Sequence, residues 1–130
     1  MTIVFILFFG TAFLFSQDNS KSLSPYAIEL RCEYLNNPLG IDRIQPHLGW
    51  LITTSDTTFK NIKQTGYQVL VASSPALLKK NIGDLWDSKK IVSNNSTHII
   101  YDGKNLSSEQ ACYWKVKIWT TIGDGNEYAS

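Results

Sequence analysis

The side chains able to do chemistry are few, and their spacing keeps them apart. His47 and His98 stand in different turn and strand contexts, with no Cys, Asp or Glu at metal-ligand spacing. Surface or hydrogen-bonding roles are expected for them rather than a zinc site. Glu29 and Glu33 fall on one face of an extended segment, where strand rise puts them about 13 Å apart. A carboxylate pair that cleaves a glycosidic bond needs ~5–5.5 Å or ~6.5–9.5 Å, so this pair reads as a solvated strand face. Neither Cys32 nor Cys112 sits in a Cys-x-x-Cys motif or beside an evident histidine that would activate a thiolate. No Gly-rich phosphate loop and no Gly-x-Ser-x-Gly elbow occurs. The residues themselves assign no catalytic, cofactor-binding or metal-binding position.

Two groups stay open. In an oxidising compartment Cys32 and Cys112 could form a disulfide closing a loop of about 80 residues, worth about 4 kcal/mol in the chain-entropy account. That bond requires Cα atoms within about 7 Å; otherwise the pair is two small buried thiols. Tyr113 and Trp119 fall on the Lys115/Lys117 side of their segment, and Trp86 lies in a turn-rich stretch. Partial burial under loops of the same domain, contact with a neighbouring domain and a platform for a sugar ring are all compatible with these aromatics.

The elements that position these residues are strands. In Cys112–Trp119, Cys112, Trp114, Val116 and Ile118 share one parity, and Tyr113, Lys115, Lys117 and Trp119 the other. Successive side chains of an extended chain point to opposite faces, so the first set can bury while both lysines stay in water. Gly123-Asp124-Gly125-Asn126 follows as a hairpin turn. Earlier strands are read at Ile28/Leu30/Cys32, Leu48/Trp50/Ile52, Tyr67/Val69/Val71 and Thr97–Tyr101, with Leu85–Ser88 as a short edge strand or turn. Asn36–Asp42 carries turn chemistry. Ser74-Pro75 suits the cap and first position of one helical turn. Asn94, Asn95 and Asn105 open N-x-Ser/Thr sequons, which mark surface loops.

The chain reads as all-β: an antiparallel two-sheet sandwich of the immunoglobulin or fibronectin type III kind over residues 26–130, its last strand incomplete. Residues 17–25 are a polar linker. Residues 1–16 are expected to be a signal peptide, because Ile3–Phe15 is almost wholly apolar yet too short to span a bilayer as a helix. Location outside the cytoplasm follows as an expectation, with no membrane association beyond that leader. Twelve basic residues against 11 acidic give no electrostatic case for nucleic acid.

Five segments carry a resemblance. Leu30-Arg31-Cys32-Glu33-Tyr34-Leu35-Asn36-Asn37-Pro38-Leu39-Gly40-Ile41-Asp42 and then Pro46-His47-Leu48-Gly49-Trp50 resemble the opening of the amino-terminal module of bacterial α-L-rhamnosidases. Gln64–Val69, Asp84–Ser88 and Tyr113–Trp119 are similar to later pieces of that module, in the same order. The resemblance implies a secreted or periplasmic glycoside hydrolase that releases terminal α-L-rhamnose. Its catalytic carboxylates would lie in a later helical barrel, so this chain alone is expected to be inactive, with no cofactor. The partners implied are downstream domains of that enzyme and rhamnosylated glycan. A free-standing immunoglobulin-like module that binds carbohydrate or protein is the competing reading. One position departs from fibronectin-like domains: Cys112 stands where a corner tyrosine is usual, six residues after Leu106.

Overall fold

The computed structural model describes residues 4–7, 25–33, 45–54, 58, 60–107 and 109–124. The turn read at Asn36–Asp42 and most of the linker lie outside them. Among the described residues eight strands and one short helix follow in order: β1 (Val4–Leu7), β2 (Tyr26–Cys32), β3 (His47–Thr53), β4 (Gln64–Ala72), α1 (Pro75–Lys79), β5 (Trp86–Asp87), β6 (Ile99–Ile100), β7 (Ala111–Thr120) and β8 (Gly123–Asp124). One sheet has the order β1-β7-β4-β5, with β8 also paired to β7; the other is β2-β3-β6. Every pairing is antiparallel except β1 with β7, where Val4–Leu7 runs parallel to Ala111–Trp114. No helix among the described residues is long and apolar enough to cross a membrane.

The core lies between the sheets, and period-two alternation builds it. Val69 and Val71 of β4, Cys112, Trp114, Val116 and Ile118 of β7, and Leu48 and Trp50 of β3 are all buried in one cluster. Fully burying a large apolar side chain is worth about 1.5–3 kcal/mol, so β7 supplies a large share of the stability. Trp50 stacks edge-on to Tyr67 at 5.2 Å, and its Nε1–H donates to Gln64 Oε1 at 2.9 Å. Gln64 in turn donates from Nε2 to the carbonyls of Ser93 and Asn95. Trp114 Nε1 is a buried donor with no partner, a cost of about 1–3 kcal/mol that the surrounding packing outweighs.

A second, smaller cluster covers the outer face of the large sheet. Leu70 and Ala72 of β4 pack under Leu78 of α1, with Leu77 and Tyr113 alongside. Ser74 caps α1, accepting from Leu77 N, and Pro75 opens the helix, as the Ser-Pro pair predicts. The helix also corrects the expectation that both lysines of β7 face water. Lys115 is only 8% exposed and donates from Nζ to Asn81 Oδ1 just beyond α1. Parity sets which side Lys115 faces; α1 decides that the side is covered. Lys117 is half-buried.

Two other expectations shift by small, physical amounts. In β2 the register slips between Ile28 and Arg31, and Glu29 adopts φ 48°. That bulge adds one residue and flips the parity ahead of it, so Ala27 rather than Ile28 joins Leu30 and Cys32 inside. The final hairpin turns at Thr121–Ile122, two residues before the Gly-Asp-Gly stretch, with Trp119 facing Asp124 and Thr120 facing Gly123. Thr120 Oγ1 donates to Gly123 O at 2.8 Å, and Gly123 takes φ 148°, open to glycine but rarely to other residues.

Candidate functional site

Among the described residues no helix or strand covers the outer face of β2-β3-β6, and only the 96–97 segment lies against it, at Gly49. Leu48 and Trp50 point inward, so His47, Gly49 and Leu51 point out. Past the bulge, Arg31 pairs with Gly49 across the ladder, and Ile28 with Leu51 before it. On the far side His47 pairs with Ile100. The alternation that builds the core therefore lays a second row outside, with Leu51 and Ile100 about half exposed at 49% and 52%.

A shallow cleft of about 90 Å³ opens in the middle of this face. Arg31, Glu29, His47, Gly49, Leu51 and His98 contribute to its lining. Gly49 sets its floor: a Cβ there would meet Ser96 O at 3.3 Å, and the Trp50 N–H donates to that same carbonyl at 2.8 Å. The 96–97 segment can lie close over β3 because no side chain stands between them. Glu29 and His98 on the rim both adopt positive φ, 48° and 56°. Arg31 donates to Glu29 at 2.7 Å across a half-exposed pair, which is worth no more than about 1 kcal/mol.

The polar groups here hold structure. Glu33 closes the end of the β2–β3 ladder, donating its N–H to His47 O at 2.7 Å and accepting the His47 N–H on Oε1 at 2.6 Å. The two histidines, read from sequence as unrelated, meet edge to face with ring centroids 6.1 Å apart. The β3–β6 pairing causes this, a contact between distant segments that no local spacing signals. No group of three or more His, Cys, Asp or Glu that could hold a metal ion occurs among the described residues.

The other candidate residues disperse. Cys32 and Cys112 come from the two facing sheets into one core cluster, both fully buried and both free thiols. Burial, then the charges of Glu33 and Cys112, pushes the Cys32 thiol far up. Burial, then Asp84, pushes Cys112 up to about 12. Neither is a nucleophile at neutral pH. Trp86 packs on the core and meets Tyr101 edge-on at 5.4 Å. Tyr113 packs beside α1. Trp119 remains half-buried with Lys90 and Lys117 at 4.6 and 5.1 Å from its ring. The three aromatics do not form one platform. In place of a corner tyrosine at residue 112, Tyr101 donates its hydroxyl to Lys104 O at 2.7 Å, with Leu85 O at 3.3 Å.

Among the described residues this face is an open, half-apolar surface with one shallow cleft. The opposite parity of Leu51 to Trp50 was the available sequence signal for it. Comparisons with known proteins identify the domain family. A family described as Rha78A-like, N-terminal immunoglobulin domain, matches residues 27–129. An alpha-L-rhamnosidase of Formosa agariphila is 38% identical over 90% of this chain, which covers 12% of that protein. One of Streptomyces avermitilis is 36% identical over 75% of this chain and 9% of its own length. The chain thus spans about a tenth of the length of these curated relatives. The solved alpha-L-rhamnosidase from Dictyoglumus thermophilum superposes with a TM-score of 0.74 at 36% identity, covering 81% of this chain and 11% of that one. The Streptomyces avermitilis enzyme, solved in complex with L-rhamnose, superposes with a TM-score of 0.73 at 33% identity, over 82% and 10%.

Proposed function

We propose a function from one premise: the chain belongs to the Rha78A-like N-terminal immunoglobulin domain family. In this reading it is the non-catalytic amino-terminal β-sandwich of a secreted or periplasmic α-L-rhamnosidase. Its role is to pack against later domains and hold them in orientation, while hydrolysis of terminal α-L-rhamnose takes place in those domains. The observation that carries the reading is the match of nearly the whole sandwich to about a tenth of each rhamnosidase. Among the described residues, the buried, protonated thiols and the structural roles of Glu29 and Glu33 are consistent with a non-catalytic part. The apolar run Ile3–Phe15 supports export.

The test is a graft. This chain replaces the matching segment of the Formosa agariphila enzyme, and a second version lacks the segment altogether. The graft is expected to melt higher and to hydrolyse an aryl α-L-rhamnoside with a higher kcat/KM than the deletion, while the 130-residue chain alone releases no rhamnose. Equal stability and activity in graft and deletion would overturn the orienting role.

A further inference from the structure

The two outer faces of the sandwich differ in one respect. On the β4–β7 sheet, α1 covers Leu70 and Ala72, leaving them 1% and 0% exposed. On β2-β3-β6 no element of the domain plays that part among the described residues, and Tyr26, Leu51 and Ile100 stand about half exposed on its three strands. Tyr26 faces Thr53 and Ile28 faces Leu51 at one end, Ile100 faces His47 at the other, and the Gly49 cleft lies between. Among the described residues the remaining exposed large apolar side chains, Ile82, Val92 and Ile122, lie on separate loops. Apolar side chains at both ends of the face, with Arg31, Glu29 and two histidines lining the cleft between them, give the mixed apolar and polar composition of an interface.

From this we infer that the outer face of β2-β3-β6 is the surface on which a later domain of the rhamnosidase polypeptide docks, with an apolar side chain of that domain seated in the cleft over Gly49. The inference rests on the proposed function and adds the face. Two quantities favour a domain of the same polypeptide as the occupant. In the relatives, about nine-tenths of the chain lies outside the segment matched here. β2 and β3, seven residues each, and the two residues of β6, at a rise of about 3.4 Å and a spacing of about 4.8 Å, present roughly 250 Å². That approaches one partner's share of the smallest interdomain contacts within a chain, which bury about 600 Å² in total. The ladder also presents a rigid surface, because its backbone is already hydrogen-bonded, so docking orders little that was mobile.

Hydroxyl-radical footprinting of the graft, compared with this chain alone, tests the assignment. Tyr26, Leu51 and Ile100 are expected to lose labelling several-fold in the graft, while Ile82 and Val92 label as in the free chain. In the graft, Leu51→Asp with Ile100→Asp should lower the melting temperature and kcat/KM together, because docking would bury charges without partners. Val92→Asp should change neither. Circular dichroism of the free chain checks that each variant folds. Protection confined to Trp119 and α1 would overturn the face while leaving the orienting role intact. No protected face, together with a graft no better than the deletion, would overturn both.

Discussion

Gln64 accepts the indole N–H of Trp50 on Oε1 at 2.9 Å while its Nε2 donates to Ser93 O and Asn95 O at 3.2 and 2.6 Å. One buried amide thus ties β3 of one sheet to β4 of the other and holds the 93–95 loop beside them. Gln64→Ala strips the Trp50 donor and two carbonyls of their partner together. The expected cost is about 2–3 kcal/mol, read as a melting-temperature drop of roughly 10 °C or more in a domain this size. Combined with Trp50→Phe, the losses should fall short of additive. Additive losses would mean the two side chains act independently.

Lys115 carries a pH signature of the opposite sense from a surface lysine. Burial disfavours its charged form and lowers its pKa from 10.5. The folded state therefore gives up this proton at lower pH than the unfolded chain does. As pH rises from the lowered value toward 10.5, the unfolded chain holds more protons and this group adds stability. Lys115→Met keeps the stem packed beneath α1 and removes the charge. It is expected to be neutral or to stabilise by up to about 1 kcal/mol near pH 7, and to abolish that alkaline gain. Urea titrations at pH 7 and pH 10 check both.

At the acid end the sign is set by two carboxylates. Burial works against ionisation of Asp84, but hydrogen bonds from Ser73, with Lys104 nearby, outweigh it and leave the pKa below 3.8. Asp87 is held down in the same way by Gln68 and Lys89. A lowered folded-state pKa gives stability that is present above about 3.8 and lost as pH falls through the folded value. Asp84→Asn with Asp87→Asn should flatten the fall in melting temperature between about pH 5 and pH 2. An unchanged acid slope would show that other carboxylates carry it.

How much of this was legible without the fold depends on range. The inward set Cys112, Trp114, Val116 and Ile118 follows from parity, and the Ser74-Pro75 cap from local chemistry; both hold in the structure. The β2 bulge at Glu29 was not legible, because a single unpaired residue leaves no mark on composition yet inverts the parity ahead of it. The burial of Lys115 depends on where α1 lands, and the meeting of His47 with His98 on strand order. The docking face was half legible: the outward position of Leu51 follows from parity, but the cleft needs the 96–97 segment lying over Gly49.

The thiols give a direct chemical readout. Cys32 and Cys112 are fully buried and free, with burial raising both pKa values. The native chain is expected to be inert to an aromatic disulfide reagent at pH 8. Unfolding in guanidinium without reductant should release both of the chain's 2 thiols per molecule. Material recovered from an oxidising compartment that releases none until reductant is added would instead carry a bond between the two sheets.

The last prediction concerns β1. Val4–Leu7 pairs with Ala111–Trp114 along one edge of β7, yet these residues lie within the segment read as a signal peptide. If export removes residues 1–16, it also removes the strand from that edge. An edge carrying N–H and C=O groups beside apolar side chains is a template for another chain. A version beginning at residue 17 is therefore expected to self-associate at concentrations where residues 1–130 do not, as measured by light scattering after gel filtration. Its amides across 111–114 should exchange faster in hydrogen–deuterium exchange. Equal exchange and equal mass would show that β7 does not depend on β1, and that the leader can leave without cost to the sandwich.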